Sequence, residues 1–135
     1  MALIAWTEKL SVGVAKIDKE HQGLVDLLNS LHDGMLAGQG KDALGPTLAK
    51  LVQYTERHFA GEEVLFRLHA YPKAAEHKKE HDALTAKVKL LEIDYRSGKS
   101  ALTGDLMTFL RDWLTKHIMG VDMQYKPFFA QKGVK

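Results

Sequence analysis

The sequence predicts an all-α protein, an antiparallel up-down-up-down four-helix bundle. Turn signals separate four segments, each long enough for a helix. Each segment repeats apolar residues in steps of four and three, and no stretch sustains the alternation of a strand. Because the connections are short, consecutive helices should pack antiparallel. The 135 residues fit one domain, 1–135.

The first predicted element is an N-terminal arm, residues 1–17, which leads into a helix at about 18–37. Leu3, Ile4 and Trp6 are apolar and should hold the arm against the bundle. The helix carries apolar residues on one seam and ends at the turn signal Gly38-Gln39-Gly40.

The second predicted helix covers about 42–66. Pro46 is expected in its first turn, where a missing backbone N–H loses no partner. The helix should end before the turn signal Tyr71-Pro72.

The third and fourth predicted helices cover about 73–96 and 101–118. Ser97-Gly98-Lys99 marks the turn between them. Gly120 and Pro127 predict that the last helix ends and that residues 119–135 form a short irregular tail.

Composition excludes several classes of protein. The net charge of +2 is too small to favour nucleic acid or an anionic membrane. The absence of cysteine excludes disulfides, cysteine-ligated zinc, iron–sulfur clusters and thiol catalysis. No signal peptide and no apolar run of about 18 residues is recognised, so we expect a soluble cytoplasmic protein without membrane insertion.

Polar residues occupy the apolar seams at six positions. A buried imidazole or carboxylate without a partner costs several kcal/mol, so six of them need a common explanation. One such residue alone would indicate an ordinary hydrogen-bonded core histidine, but metal coordination explains the whole set. The six residues are His21, His58, Glu62, His77, His81 and His117.

Spacing and topology support this hypothesis. His58/Glu62 and His77/His81 are i, i+4 pairs, so each pair projects from one helix face. An up-down bundle brings all six residues to the same end, and Asp122 should turn back into the site beyond Gly120. Five imidazoles and two carboxylates exceed what one octahedral ion accepts, which favours two ions sharing carboxylates. Iron, copper, nickel and zinc all suit these ligands.

Competing metal motifs are missing. The sequence has neither the Glu-x-x-His repeat of ferritin-like di-iron bundles nor the His-Glu-x-x-His of zinc proteases. Both classes are therefore disfavoured.

The ordered motifs resemble those of the hemerythrin family, in particular its single-domain bacteriohemerythrins. The resemblance covers nearly the whole chain. Glu20 and Phe66 depart from it, since many relatives have Gln and Met there. The matching motifs are Ile17-Asp18-Lys19-Glu20-His21, His58-Phe59-Ala60-Gly61-Glu62-Glu63, His77-x-x-x-His81 and Trp113-Leu114-x-x-His117-Ile118-x-x-x-Asp122-x-x-Tyr125.

The resemblance implies a non-haem di-iron centre, two iron ions (Fe2+/Fe3+) with an oxo or hydroxo bridge. His77, His81 and His117 would hold a six-coordinate iron. His21 and His58 would hold a second iron with one open position, and Glu62 and Asp122 would bridge the two ions. The family's apolar O2 pocket maps onto Leu24, Phe59, Trp113, Leu114 and Ile118.

The implied function is reversible dioxygen binding for transport, storage or delivery, without enzymatic activity. The expected ligand is dioxygen, with an O2-consuming acceptor protein as candidate recipient, and the expected state is a monomer. Two alternatives stay open: an O2, nitric oxide or redox sensor acting through a separate partner, and a di-iron enzyme handling peroxide or nitric oxide. His32 and His69, the latter expected in the loop after the second helix, are predicted not to be ligands.

Overall fold

The computed structural model describes residues 3–99 and 103–135 and confirms the all-α four-helix bundle. Within these residues no strand occurs. The bundle helices are α1 (Ala15–Leu36), α2 (Lys41–His69), α3 (Ala74–Ser97) and α4 (Gly104–Lys116). A π-helical turn (His117–Val121), a 3-10 turn (Asp122–Tyr125) and a short helix α5 (Lys126–Gln131) follow.

The N-terminal arm is bonded to α1 at two places. The side-chain amide of Asn29 receives a hydrogen bond from the backbone N–H of Ile4 and donates one to its carbonyl, both at 2.9 Å. Asp18 accepts from the hydroxyl of Ser11 at 2.5 Å and from the amide of Val12 at 2.8 Å. Gly13 makes the turn between arm and helix with a positive φ of 80°. The first helix therefore begins at Ala15, three residues before the predicted start.

The second helix is longer than predicted at both ends. It begins at Lys41, so Pro46 is its sixth residue rather than part of its first turn. The carbonyl of Asp42 consequently receives no N–H from position 46. At its other end Ala70 adopts a left-handed conformation with φ 55°, and the amide of Tyr71 bonds the carbonyl of Phe66. His69 is the last helical residue, not a loop residue as predicted.

The fourth helix begins at Gly104, with the hydroxyl of Thr103 accepting from the amide of Leu106 at 3.2 Å. The first two residues predicted for it, 101 and 102, lie outside the described residues. At its C-terminal end the prediction of an irregular tail is wrong. Pro127 occupies the first turn of α5, where its missing N–H loses nothing, and Phe129 of that helix is fully buried.

The core has two parts. One half of the bundle is apolar, with leucines such as Leu28, Leu31, Leu48 and Leu51 at most 1% exposed. The opposite end is closed by a second cluster, largely aromatic, in which the arm, α2 and α5 meet. Its buried members are Val12, Val14, Ile17, Phe66, Tyr71, Tyr125 and Phe129. Across the described residues, no helix has the length and apolar character needed to cross a membrane.

Candidate metal centre

The seven residues predicted as metal ligands meet in one buried cluster between the two core regions. Each is at most 5% exposed, and Asp122 is completely buried. The seven residues come from consecutive elements. Helix α1 supplies His21, helix α2 supplies His58 and Glu62, and helix α3 supplies His77 and His81. The π-helical turn supplies His117, and Asp122 directly follows that turn.

The π-helical turn explains how His117 and Asp122 face the same site. In an α-helix of 3.6 residues per turn, residues five apart differ by about 140° around the axis. Here the amide of Asp122 bonds the carbonyl of His117, five residues earlier, so both side chains lie on one face. We predicted that the helix ends near residue 118 and that Asp122, just beyond Gly120, turns back into the site. Instead the chain stays helical, and a Cβ added at Gly120 would meet no atom within 4 Å.

The ligand atoms form two overlapping sets. Within each set, one potential ligand atom from each residue lies within 4.8 Å of all the others. Both sets contain Glu62 and Asp122, which places the carboxylates where two adjacent cations would share them. The sets are Glu62, His77, His81, His117 and Asp122, here called the three-histidine set, and His21, His58, Glu62 and Asp122, here called the two-histidine set.

Nitrogen and oxygen atoms crowd together in the cluster without hydrogen bonding. Oδ1 of Asp122 lies 2.9 Å from Nε2 of His77 and 3.1 Å from Nε2 of His117. Its Oδ2 lies 3.0 Å from Nε2 of His21. None of these buried atoms has a hydrogen-bond partner, so their lone pairs converge on common points.

Glu62 shows the same arrangement, with Oε1 3.2 Å from Nε2 of both His58 and His81. With metal–ligand bonds of about 2.1 Å, neighbouring ligand atoms at right angles lie about 3.0 Å apart. Orphaned lone pairs at this separation are the arrangement that a pair of cations requires, and the residues therefore fit the di-iron group implied by the sequence.

Three further residues form hydrogen bonds with the predicted ligands, a role that we did not predict from the sequence. The second ring nitrogen, Nδ1, of His58 lies 2.7 Å from Oε1 of Glu20. Nδ1 of His81 lies 2.8 Å from Oε2 of Glu63. The hydroxyl of Tyr125 donates to Oε2 of Glu62 at 2.5 Å. For Glu20 and Glu63 the signal in the sequence is adjacency to a predicted ligand, His21 or Glu62, and for Tyr125 it is the motif Asp122-x-x-Tyr125.

The electrostatics of the cluster favour bound positive charge. Burial lowers the pKa of His58, but the Glu62 charge and the hydrogen bond with Glu20 outweigh it and raise that pKa to about 10. Burial opposes ionisation of Asp122, yet the surrounding histidines, His117 foremost, hold its pKa well below the usual range. Two ionised carboxylates in a dry interior need cations beside them, either imidazolium or metal.

Of the five residues predicted to form an apolar pocket, Phe59 contacts the cluster and the other four lie in or against the apolar core. Phe59 contacts the ligands directly, its ring stacked on that of His81 with centroids 3.9 Å apart. Leu24, Leu114 and Ile118 are buried in the apolar core, and Trp113 is partly buried against it. The two other histidines, His32 and His69, belong to neither ligand set.

The chain is similar to known proteins along nearly its whole length. The family described as Hemerythrin HHE cation binding domain matches residues 12–129. The bacteriohemerythrin of Stenotrophomonas maltophilia is 34% identical over 125 residues, 93% of this chain and 80% of that protein. The bacteriohemerythrin of Methylococcus capsulatus is 34% identical over 128 residues, 94% of this chain and 97% of that protein. A crystal structure of wild-type hemerythrin superposes with a TM-score of 0.86 at 34% identity, covering 93% of this chain and 97% of that one.

Proposed function

Because this chain belongs to the hemerythrin family, we propose that it binds dioxygen reversibly at two iron ions held by the seven clustered ligands. The observation that carries the proposal is the pair of overlapping sets, with both carboxylates shared and an unequal number of histidines. When bound, the iron pair supplies the two electrons and the vacant coordination position that reversible O2 binding needs.

The unequal histidine count assigns different tasks to the two sides. The three-histidine set would hold an iron ion with five residues, and the two-histidine set would hold one with four. An ion in the two-histidine set would therefore have one more coordination position that no residue fills. We therefore assign the open position to the side of His21 and His58.

The apolar residues around the cluster keep water away from that position. Leu24, Leu114 and Ile118 are at most 3% exposed, and Phe59 is 4% exposed. Excluding water and protons suppresses the irreversible oxidation that would end oxygen binding. The O2 pocket of Leu24, Phe59, Trp113, Leu114 and Ile118 is part of the proposal.

The surroundings of the cluster favour a carrier over an enzyme. Within the described residues, Glu20, Glu63 and Tyr125 are the carboxylates and hydroxyl that form hydrogen bonds with the predicted ligands. None of the three is a free acid or base for a substrate. We accordingly propose transport, storage or delivery of O2 by a cytoplasmic monomer, with an O2-consuming protein as recipient.

Cycles of oxygenation test the proposal. Iron-loaded protein is reduced without air and then exposed alternately to O2 and argon while its visible spectrum is recorded. We expect a charge-transfer band that appears with O2 and disappears under argon over several cycles. His77→Ala, which removes a ligand, should abolish the band, whereas His32→Ala, at a histidine outside both sets, should retain it.

Two results would contradict the carrier function. One is a spectrum without the band, and the other is immediate, irreversible oxidation of the iron by the first exposure to O2. Either would turn attention to sensing or to peroxide and nitric oxide chemistry.

A further inference from the structure

Two of the five ligand histidines use their second ring nitrogen to hold a carboxylate from a neighbouring helix. Glu20 of α1 reaches His58 of α2 at 2.7 Å, and Glu63 of α2 reaches His81 of α3 at 2.8 Å. Both rings are 1% exposed, while the carboxylates are 26% and 25% exposed. Each pair thus joins a buried ligand to a charge at the rim of the cluster.

These pairs determine which nitrogen faces the metal. An ionised carboxylate only accepts hydrogen bonds, so Nδ1 of each ring must carry the proton that it donates. When a metal replaces the second proton, the neutral ring binds it through Nε2, the atom directed at the cluster. In His58 and His81 this atom lies 3.2 Å from Oε1 of Glu62, as a ligand of a shared cation would.

The two pairs belong to different ligand sets. His58 belongs only to the two-histidine set and His81 only to the three-histidine set. Within the described part of the chain, the other three ligand histidines have no carboxylate near Nδ1. In particular, Nδ1 of His21 and Nδ1 of His117 are buried without a hydrogen-bond partner. Each set therefore contains a single histidine that is paired with a carboxylate through its second nitrogen.

We propose that Glu20 and Glu63 are positioning residues that tune the two ions independently, Glu20 through His58 and Glu63 through His81. The negative charge behind each ring makes its Nε2 a stronger donor to the metal. Removing that charge should weaken binding of one ion and raise its reduction potential, while the other ion changes little. This inference rests on the metal centre of the proposed function. It adds that each of the two ions is tuned by a carboxylate of its own.

Substitution by glutamine separates charge from geometry. The amide oxygen of Glu20→Gln or Glu63→Gln can still accept from Nδ1, so the ring keeps its orientation and loses only the charge. Glu80→Gln is the matched control, since Glu80 is exposed and adjacent to His81 in the chain but forms no hydrogen bond with a ligand. All three variants change the net charge equally.

Metal-free protein is titrated with Co2+ by calorimetry, and the two binding steps are resolved. We expect Glu20→Gln to weaken one step about 10- to 100-fold, Glu63→Gln to weaken the other to a similar extent, and Glu80→Gln to match the unmodified protein. The double variant Glu20→Gln/Glu63→Gln should weaken both steps. In Co2+-loaded protein, the paramagnetically shifted Nδ1–H signal of His58 should change in the first variant and that of His81 in the second.

Two results would overturn the proposal: equal weakening of both steps by either single variant, or no difference between these variants and Glu80→Gln. Reduction potentials of iron-loaded protein give a second test, since each variant should raise a different one of the two potentials. Co2+ binding involves no O2 chemistry. If oxygenation fails but the variants still weaken separate cobalt-binding steps, only the proposed function is refuted. If oxygenation succeeds but the variants do not weaken separate steps, only this inference is refuted.

Discussion

The two halves of the bundle use the same helices for opposite purposes. In the apolar half the seams carry residues such as Leu28, Leu31 and Leu48, each completely buried. In the other half the same seams carry imidazoles and carboxylates that are almost as deeply buried but have orphaned lone pairs. Burying each leucine stabilises the fold by about 1.5–3 kcal/mol, whereas burying an unpaired polar group destabilises it by a comparable amount or more.

The difference shows how a small bundle can maintain a strained polar site. We expect the apolar half to hold the helices together whether or not metal is present. The polar half would then present its predicted ligands preformed, and the binding of cations would offset their unfavourable burial. Substitutions in one half should therefore change stability with little effect on metal binding, and substitutions in the other should do the reverse.

The largest effect is expected from Asp122→Asn. The carboxylate is shared by both ligand sets and lies within 3.1 Å of three histidines. Losing its charge should therefore weaken the binding of both ions. We expect a loss of affinity above the roughly hundredfold typical of substitutions behind the ligands. The measurement is metal content per chain after reconstitution and desalting. Asp112→Asn, at a residue whose side chain is 49% exposed and paired with Arg111, is the control. Two ions retained by Asp122→Asn would contradict the shared role of this carboxylate.

Leu48→Ala is the matching change in the apolar half. Leu48 is 0% exposed, and its truncation should lower the free energy of unfolding of the metal-free protein by about 2–5 kcal/mol. Urea unfolding measures this loss, and metal content should stay at two ions per chain. Leu36→Ala removes a side chain that is 67% exposed and should change stability by less than about 0.5 kcal/mol. Loss of metal from folded Leu48→Ala protein would show that the halves are not independent.

Tyr125→Phe tests one hydrogen bond at the polar end. The hydroxyl is bonded to Oε2 of Glu62, and its removal leaves a buried carboxylate oxygen without that donor. We expect the metal-loaded protein to lose about 1–3 kcal/mol of stability in thermal or urea unfolding. Tyr71→Phe is the matched control from the same aromatic cluster, because the buried hydroxyl of Tyr71 has no partner. Equal effects of the two substitutions would rule out a special role for the Tyr125 hydroxyl.

The last expected effect is the pH dependence of the metal-free protein. The pKa of His58 is raised from 6.5 to about 10 in the folded state, so the folded form binds its proton more tightly than the unfolded form. The resulting stabilisation is complete below pH 6.5 and is lost as the pH rises toward 10. Urea unfolding across this range should show decreasing stability, with a shallower decrease in His58→Gln. Stability that rises with pH over this range would contradict the assignment.

Side-chain periodicity explains what the sequence could predict. Steps of four and three specify a helix face, so the four helices and the shared end of His58, Glu62, His77 and His81 could be inferred without coordinates. The structure brings these residues together, and their role as metal ligands stays a prediction.

Backbone hydrogen bonding explains what was missed. The π-helical turn depends on the bond from the Asp122 amide to the His117 carbonyl, and side-chain periodicity contains no information on that register. Pro127 was interpreted as a breaker, although proline is equally suited to the first turn of a new helix. The roles of Glu20 and Glu63 depend on how neighbouring helices rotate against each other, which local spacing does not determine.

We propose that the cluster holds two iron ions through shared carboxylates. A crystal structure of iron-loaded protein, with anomalous data collected on both sides of the iron absorption edge, would show the ions themselves. We expect two iron peaks per chain, one beside His77, His81 and His117 and one beside His21 and His58, with Glu62 and Asp122 contacting both. A single peak, or two peaks of which either lacks contact with both carboxylates, would contradict it.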